Sequence, residues 1–136
     1  MIIAAVQNAI YTRLSEYEGL TGVPIYDHVP QDVRPEDKDK FPFITIGEDS
    51  YEVADTDTEN WLDVSLTVNV WSRYGGRMEA KGIQDHIRGA LHRYALPVDG
   101  ATTIILDMES ASCLRQEDGL TYHGSQDFRL LLEEWD

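Results

Sequence analysis

The chain has one cysteine, Cys113, so it cannot close an intrachain disulfide, which fits assembly in a reducing cytoplasm. Basic residues are scarce. Eleven Lys and Arg stand against twenty-five Asp and Glu, leaving a net charge of −14 and a pI near 4.4. A surface this negative repels phosphate backbones and anionic lipid alike, which disfavours binding to duplex DNA or to a membrane face. Long apolar runs are missing too. Ile104-Ile105-Leu106 and Leu130-Leu131-Leu132 fall far short of the roughly 20 residues that cross a bilayer. The opening Met1-Ile2-Ile3-Ala4 follows no basic stretch and is interrupted at Gln7 and Asn8, so no signal peptide is expected.

Catalytic and ligand-binding signatures are also lacking. The histidines His28, His86, His92 and His123 are scattered, without the short regular spacing that metal ligation needs. No Gly-x-Ser-x-Gly elbow occurs, and Cys113 falls in a strand beside Ser112 and Leu114 as a small core residue. Asp118 and His123 flank a turn but have no nucleophile with them. The alternating acids of Asp55-Thr56-Asp57-Thr58-Glu59 lack the glycine and terminal glutamate of an EF-hand loop. Gly75-Gly76 precedes a helix without a P-loop Lys or a dinucleotide glycine pattern. The residues therefore point away from an enzyme, and no metal or cofactor is expected.

What is present is periodicity. Ile3, Val6, Ile10, Leu14 and Tyr17 recur at gaps of three and four, predicting a helix from Ile2 to about Tyr17 that ends before Gly19 and Gly22. Val23 to Val29 reads as a short extended piece, and Pro24 assigns it to a sheet edge or strand start. Phe41 to Gly47 has strand chemistry. Leu62, Val64, Leu66, Val68 and Val70 alternate with Asp63, Ser65, Thr67 and Asn69, predicting a half-buried strand from Leu62 to Trp71.

A second helix is predicted from Arg77 to Tyr94, with Ala80, Ile83, Ile87, Ala90, Leu91 and Tyr94 as its stripe. Gly82 and Gly89 lower its propensity and suit close packing on a sheet. Strands follow from Thr102 to Leu114, with Ile104, Leu106 and Met108 on one face, and from Thr121 to Glu133, joined at Asp118-Gly119. The fold expected is α+β: two helices on one face of a mostly antiparallel sheet of about five strands, one domain over residues 1–136.

Two polar segments interrupt this plan. Residues 30–40 mix charges, with Asp32, Arg34, Glu36, Asp37 and Lys38. Residues 48–59 read as an acidic loop carrying Glu48, Asp49, Glu52, Asp55, Asp57 and Glu59 and no basic residue. Long loops in small domains usually have a purpose. The charge fits solubility, an acidic pore lining, a docking face for a basic partner, or mimicry of DNA, and composition leaves these open. Trp135, beside the C-terminus, suits a subunit contact, since tryptophan is enriched at interface hot spots.

Several strings, in order, carry a likeness: Tyr26-Asp27-His28-Val29-Pro30-Gln31, Phe43-Ile44-Thr45-Ile46-Gly47, Val70-Trp71-Ser72-Arg73 leading through Gly76 to Glu79-Ala80, the helix Ile83 to Leu91, and Asp118-Gly119-Leu120-Thr121-Tyr122-His123-Gly124. Through them the chain resembles the tail-completion family of tailed bacteriophages, prophages and gene transfer agents, whose members act as tail terminators or head–tail joining proteins. The resemblance implies a structural ring subunit, commonly a hexamer, that completes the tail and joins it to the head connector. It implies no catalytic residues. The partners implied are other copies of the chain, the tail tube protein and a head connector or stopper, with DNA passing through unbound. The implied setting is the host cytoplasm during assembly, then the particle.

On that model the 48–59 acids face the lumen or the connector, and the 30–40 segment with Trp135 contacts the tail tube or a neighbouring subunit. Gly47, Gly76 and Gly119 permit turns, Trp71 and Ile83 fill the helix–sheet core, and Arg73 pairs with an acidic neighbour. The competing expectations are a head-side connector or stopper and an acidic inhibitor that mimics DNA.

Overall fold

A computed structural model describes residues 2–27, 29 and 40–135. Its elements run α1 (Ile2–Glu16), a single 3-10 turn (Glu18–Leu20), β1 (Ile25–Tyr26), β2 (Phe43–Val53), β3 (Asn60–Ser72), α2 (Met78–Leu91), β4 (Ala101–Arg115) and β5 (Tyr122–Glu134). The strands form one five-stranded sheet in the order β1-β2-β3-β5-β4. Only β1 is parallel to its neighbour; every other pair is antiparallel. Pro24 lies just before the edge strand β1, and its carbonyl accepts the Ile44 N–H at 2.8 Å.

β3 is the spine. Its predicted inward set, Leu62, Val64, Leu66, Val68 and Val70, is buried throughout, and each such side chain contributes about 1.5–3 kcal/mol through burial. These residues pair in register with Leu132, Leu130, Phe128, Gln126 and Gly124 of β5. Val6, Ile10 and Leu14 of α1 and Ala80, Ile83, Ile87, Ala90 and Leu91 of α2 close over the same face in one cluster. Both helices therefore cover one side of the sheet, as the alternation predicts. Ile3, in the first turn of α1, is 45% exposed and outside the stripe.

The helices are clamped to each other by Arg13. Its Nε donates to Ala90 O at 2.7 Å, and its guanidinium lies 3.7 Å from the Tyr94 ring centre and 5.1 Å from that of Tyr17. Close approach to the sheet is made by Gly124 on β5 rather than by Gly82 or Gly89. A Cβ on Gly124 would meet the Gln84 side chain at 2.7 Å, one on Gly82 meets nothing within 4 Å, and one on Gly89 meets the Tyr17 side chain just after α1.

Residues 48–53 are strand, not loop. β2 continues through them by a bulge between Gly47 and Ser50, opposite β3. Glu48 takes a left-handed φ of 49° there. The extra residue reverses the phase, so Ile44 and Ile46 point inward before it while Tyr51 and Val53 take the inward register, opposite Val64 and Leu62, after it. Only residues 54–59 form the loop. β4 carries two further bulges, and Ile104 is the extra residue of the first. It is 44% exposed and, unlike Leu106, is not part of the core.

The outer edge of β4 is partly occupied. The Arg93 N–H donates to Leu106 O at 2.6 Å and the Met108 N–H donates to His92 Nδ1 at 3.0 Å. Arg93 reaches this position with a φ of 60°, so the turn after α2 closes the middle of that edge.

Candidate functional site

The sheet face turned away from the helices has a different chemistry at each level. At the Ser72 end of β3, Phe43, Trp71 and His123 sit side by side across three strands. Trp71 stacks on His123 and lies 24° from the plane of Phe43, and its Nε1 donates to Thr45 Oγ1 at 3.2 Å. Trp71 is thus on the face turned away from the helices, half-buried beside the buried Phe43, and does not fill the helix–sheet core, whereas Ile83 is within that core. Strand alternation is the reason: Val70 points inward, so Trp71 points out.

Lower on this face the groups are polar and paired. Asp127 accepts from Thr67 Oγ1 and Ser110 Oγ, both at 2.8 Å. Arg129 grips Asp63 through Nε at 3.1 Å and Nη2 at 2.9 Å, and this hydrogen-bonded pairing raises the Arg129 pKa.

At the same end as Trp71, Arg73 ties the β3–α2 connection to the β4–β5 loop. Its side chain is 4% exposed. Nη2 donates to Asp118 Oδ2 at 3.1 Å and Nε to Thr121 Oγ1 at 2.8 Å. Asp118 also accepts the Leu120 and Thr121 N–H groups and the Thr121 hydroxyl. These donors, Thr121 first, hold the carboxyl far below the usual carboxylate range. Gly119 supplies a φ of +72° for the turn, while at Gly75-Gly76 the positive φ is at Gly75. Asp118 and His123 do not meet: one serves Arg73, the other lies on Trp71, with its Nε2 2.7 Å from Asn69 Oδ1.

The opposite end of the sheet is acidic. Asp55 Oδ1 accepts the Trp61 N–H at 2.9 Å and Glu59 Oε2 accepts from Trp61 Nε1 at 3.3 Å, with Asp57 exposed between them. Trp135 is 62% exposed and its Nε1 donates to Thr102 Oγ1 at 2.8 Å. Glu48, Asp49 and Glu52 are exposed along β2. Asp49 accepts the Tyr51 hydroxyl at 2.8 Å, and burial followed by this carboxylate pushes the Tyr51 pKa up. The structure thus divides the acidic stretch into a strand part and a hairpin tip. Asp32, Arg34, Glu36, Asp37 and Lys38 lie outside the described residues.

Concave chemistry is sparse. A groove of about 430 Å³ between α1 and β1 is lined by Ala4, Gln7, Asn8, Tyr11, Ile25, Tyr26 and Asp27, and Asp27 already has a partner. Among the described residues no group of three or more His, Cys, Asp or Glu is placed to hold a metal ion, and no helix is long and apolar enough to cross a membrane.

This fold is shared with a component of a phage-like particle. A chain in the virion of a native gene transfer agent particle superposes with a TM-score of 0.81 at 21% identity, covering 97% of each chain. A second solved structure gives 0.63 at 12% identity. By sequence, residues 8–133 match the family model for tail completion protein gp17, and the chain belongs to that family of structural tail completion proteins. The tail completion protein gp17 of Bacillus phage SPP1 is 28% identical over 123 residues, covering 88% of this chain and 86% of that protein.

Proposed function

We propose that the protein is a ring subunit that completes the head-proximal end of a phage-like tail and joins it to the head connector. The family match over residues 8–133 carries this reading, and membership of a tail completion family favours the tail side of the joint over a head-side stopper. The surface supports a structural rather than a chemical role. Its notable features are exposed side chains at the sheet ends and a large negative charge. A ring that passes DNA benefits from that charge, because an acidic lumen repels the phosphate backbone instead of releasing counterions to bind it.

The division of the acidic stretch supports assigning Glu48, Asp49 and Glu52, fixed on β2, to the lumen or to the connector-facing rim. The 30–40 segment, with Asp32, Arg34, Glu36, Asp37 and Lys38, is assigned to the tail tube or a neighbouring subunit. Deleting it is expected to leave a folded monomer that no longer supports joining.

Negative-stain electron microscopy of particles from a strain without the gene tests the reading against the complemented strain. Separate filled heads and free tails of irregular length are the expected outcome. Normal joined particles in the deletion strain would sink it.

A further inference from the structure

Among the described residues, six large apolar side chains are more than half exposed: Val53, Tyr74, Met78, Leu114, Leu120 and Trp135. All six lie at one end or the other of the sheet. Tyr74, Met78, Leu114 and Leu120 gather at the Ser72 end of β3. There the Arg73–Asp118 pair holds the two connections together, and the Arg77 guanidinium lies 5.5 Å from the Tyr122 ring centre. Val53 and Trp135 are at the Asn60 end. The 13 residues of β3 separate the two groups by about 40 Å at ~3.3 Å per residue.

The two ends differ in charge: one presents exposed cations among acids that are mostly paired, the other only acids. Around the first group stand Arg77, Lys81 and Arg115, all exposed; of the acids there, Asp118 is taken by Arg73, Glu79 accepts from Ser72 and Glu117 is exposed. Around the second stand the hairpin-tip acids Asp55, Asp57 and Glu59, and from Glu48 to Ser72 the chain has no Lys or Arg. Two acidic ends repel, so a two-fold contact through the hairpin-tip end is disfavoured. Unlike ends attract and bury apolar surface on both sides, which is the condition for a head-to-tail contact between identical subunits.

We infer that the β2–β3 hairpin tip of one copy, with Val53, docks on the Tyr74–Met78–Leu120 end of the next copy, its acids set against Arg77 and Arg115. The inference rests on the ring reading and names the contact that closes it. Trp135 extends the acidic side of the same contact.

A benzoylphenylalanine photo-crosslinker at Met78, in the full chain within assembled particles, tests it. The expected product joins position 78 to the 53–59 peptide of a second copy. A product with another part of a second copy, or with a different protein alone, overturns the contact. The number of copies per particle, measured separately, decides the ring reading itself: one copy ends it, whatever the cross-link shows. As a second measurement, Arg77→Glu with Arg115→Glu lowers cross-linking and incorporation by about tenfold or more, the scale expected when like charges are forced together across an interface. Adding Asp57→Arg and Glu59→Lys to the same chain restores both, because a head-to-tail contact takes one side from each copy. Circular dichroism and Tm of the exposed-site variants are the folding control. Failure of the reversed pair to restore assembly in a folded protein overturns the contact.

Discussion

The indole of Trp71 and the imidazole of His123 lie 4.0 Å apart and 3° from parallel across adjacent strands. Burial lowers the His123 pKa from its ordinary 6.5 because the charged ring loses its water. The unfolded chain therefore binds the proton more readily than the folded one. The stabilisation is complete above pH 6.5 and is lost as pH falls through the folded pKa. Denaturant unfolding from pH 8 downward is expected to show this loss. His123→Phe, which keeps an aromatic ring on Trp71, flattens the dependence just below pH 6.5, and an unchanged slope there would contradict the assignment.

Asp118→Ala strips four hydrogen bonds from the β4–β5 loop and leaves the 4% exposed Arg73 side chain without its carboxylate. A loss of about 1–3 kcal/mol is expected, since a charge-assisted network is broken while its buried partner stays. Asp118→Asn retains an acceptor for the backbone N–H groups and loses less. The sign of the acid dependence follows from the lowered pKa: stability from this group is present above pH 3.8 and falls as pH drops further. Urea midpoints at neutral pH, with acid titrations of both variants, measure these effects.

Gly124 and Gly82 respond in opposite directions to the same substitution. Gly124→Ala drives a methyl into the Gln84 side chain, whose Nε2 donates to Ser112 O at 2.9 Å, and costs about 1–3 kcal/mol by overpacking. Gly82→Ala, in an open stretch of α2, gains about 0.5–1 kcal/mol through helix propensity. Paired thermal melts decide both, and equal shifts of one sign would contradict the packing described.

The elements whose side chains keep a single phase are legible in the amino-acid pattern. β3 alternates without interruption, and the middles of the two helical stripes match the buried sets of α1 and α2, although Ile3 is exposed, Tyr17 and Tyr94 fall beyond the helix ends, and Gln84 is buried outside the stripe. Where phase breaks, the pattern misleads. Glu48 and Asp49 have low strand propensity and sit at a bulge, so residues 48–53 read as loop although β3 pairs with them. Ile104 looks inward by counting twos from Leu106, yet a bulge makes it the extra residue. The outward position of Trp71 is legible in principle, since an inward Val70 requires an outward neighbour. The Trp71–His123 stack depends on the register between β3 and β5, which no local pattern states. Of the candidate surface, the acids are visible as composition. Their separation from Arg77, Lys81 and Arg115 at the other end of the sheet follows only from the topology.

Arg93 holds a left-handed φ of 60° while its N–H serves Leu106. Arg93→Pro removes that donor and cannot adopt the angle, so a loss of about 2 kcal/mol or more is expected. Greater thioflavin T-positive assembly on mild heating should accompany it. Arg93→Gly, which keeps the N–H and tolerates the angle, is the control and should match the parent. Identical behaviour of the proline and glycine variants would contradict this account.

The same turn has a consequence for how the chain meets other copies of itself. An unpaired strand is a template for the next identical strand, and repetition of that step yields fibres. Here a newcomer aligning along β4 meets main-chain rungs at Leu106 and Met108 that are already taken, and its line is broken again by two bulges. On the opposite flank β1 covers only Ile44 and Thr45 of β2, and the edge of β2 beyond it is broken by a bulge and carries the exposed acids Glu48, Asp49 and Glu52. Sideways addition of further strands is therefore disfavoured on both flanks, by occupied rungs on one and by a bulge and like charges on the other.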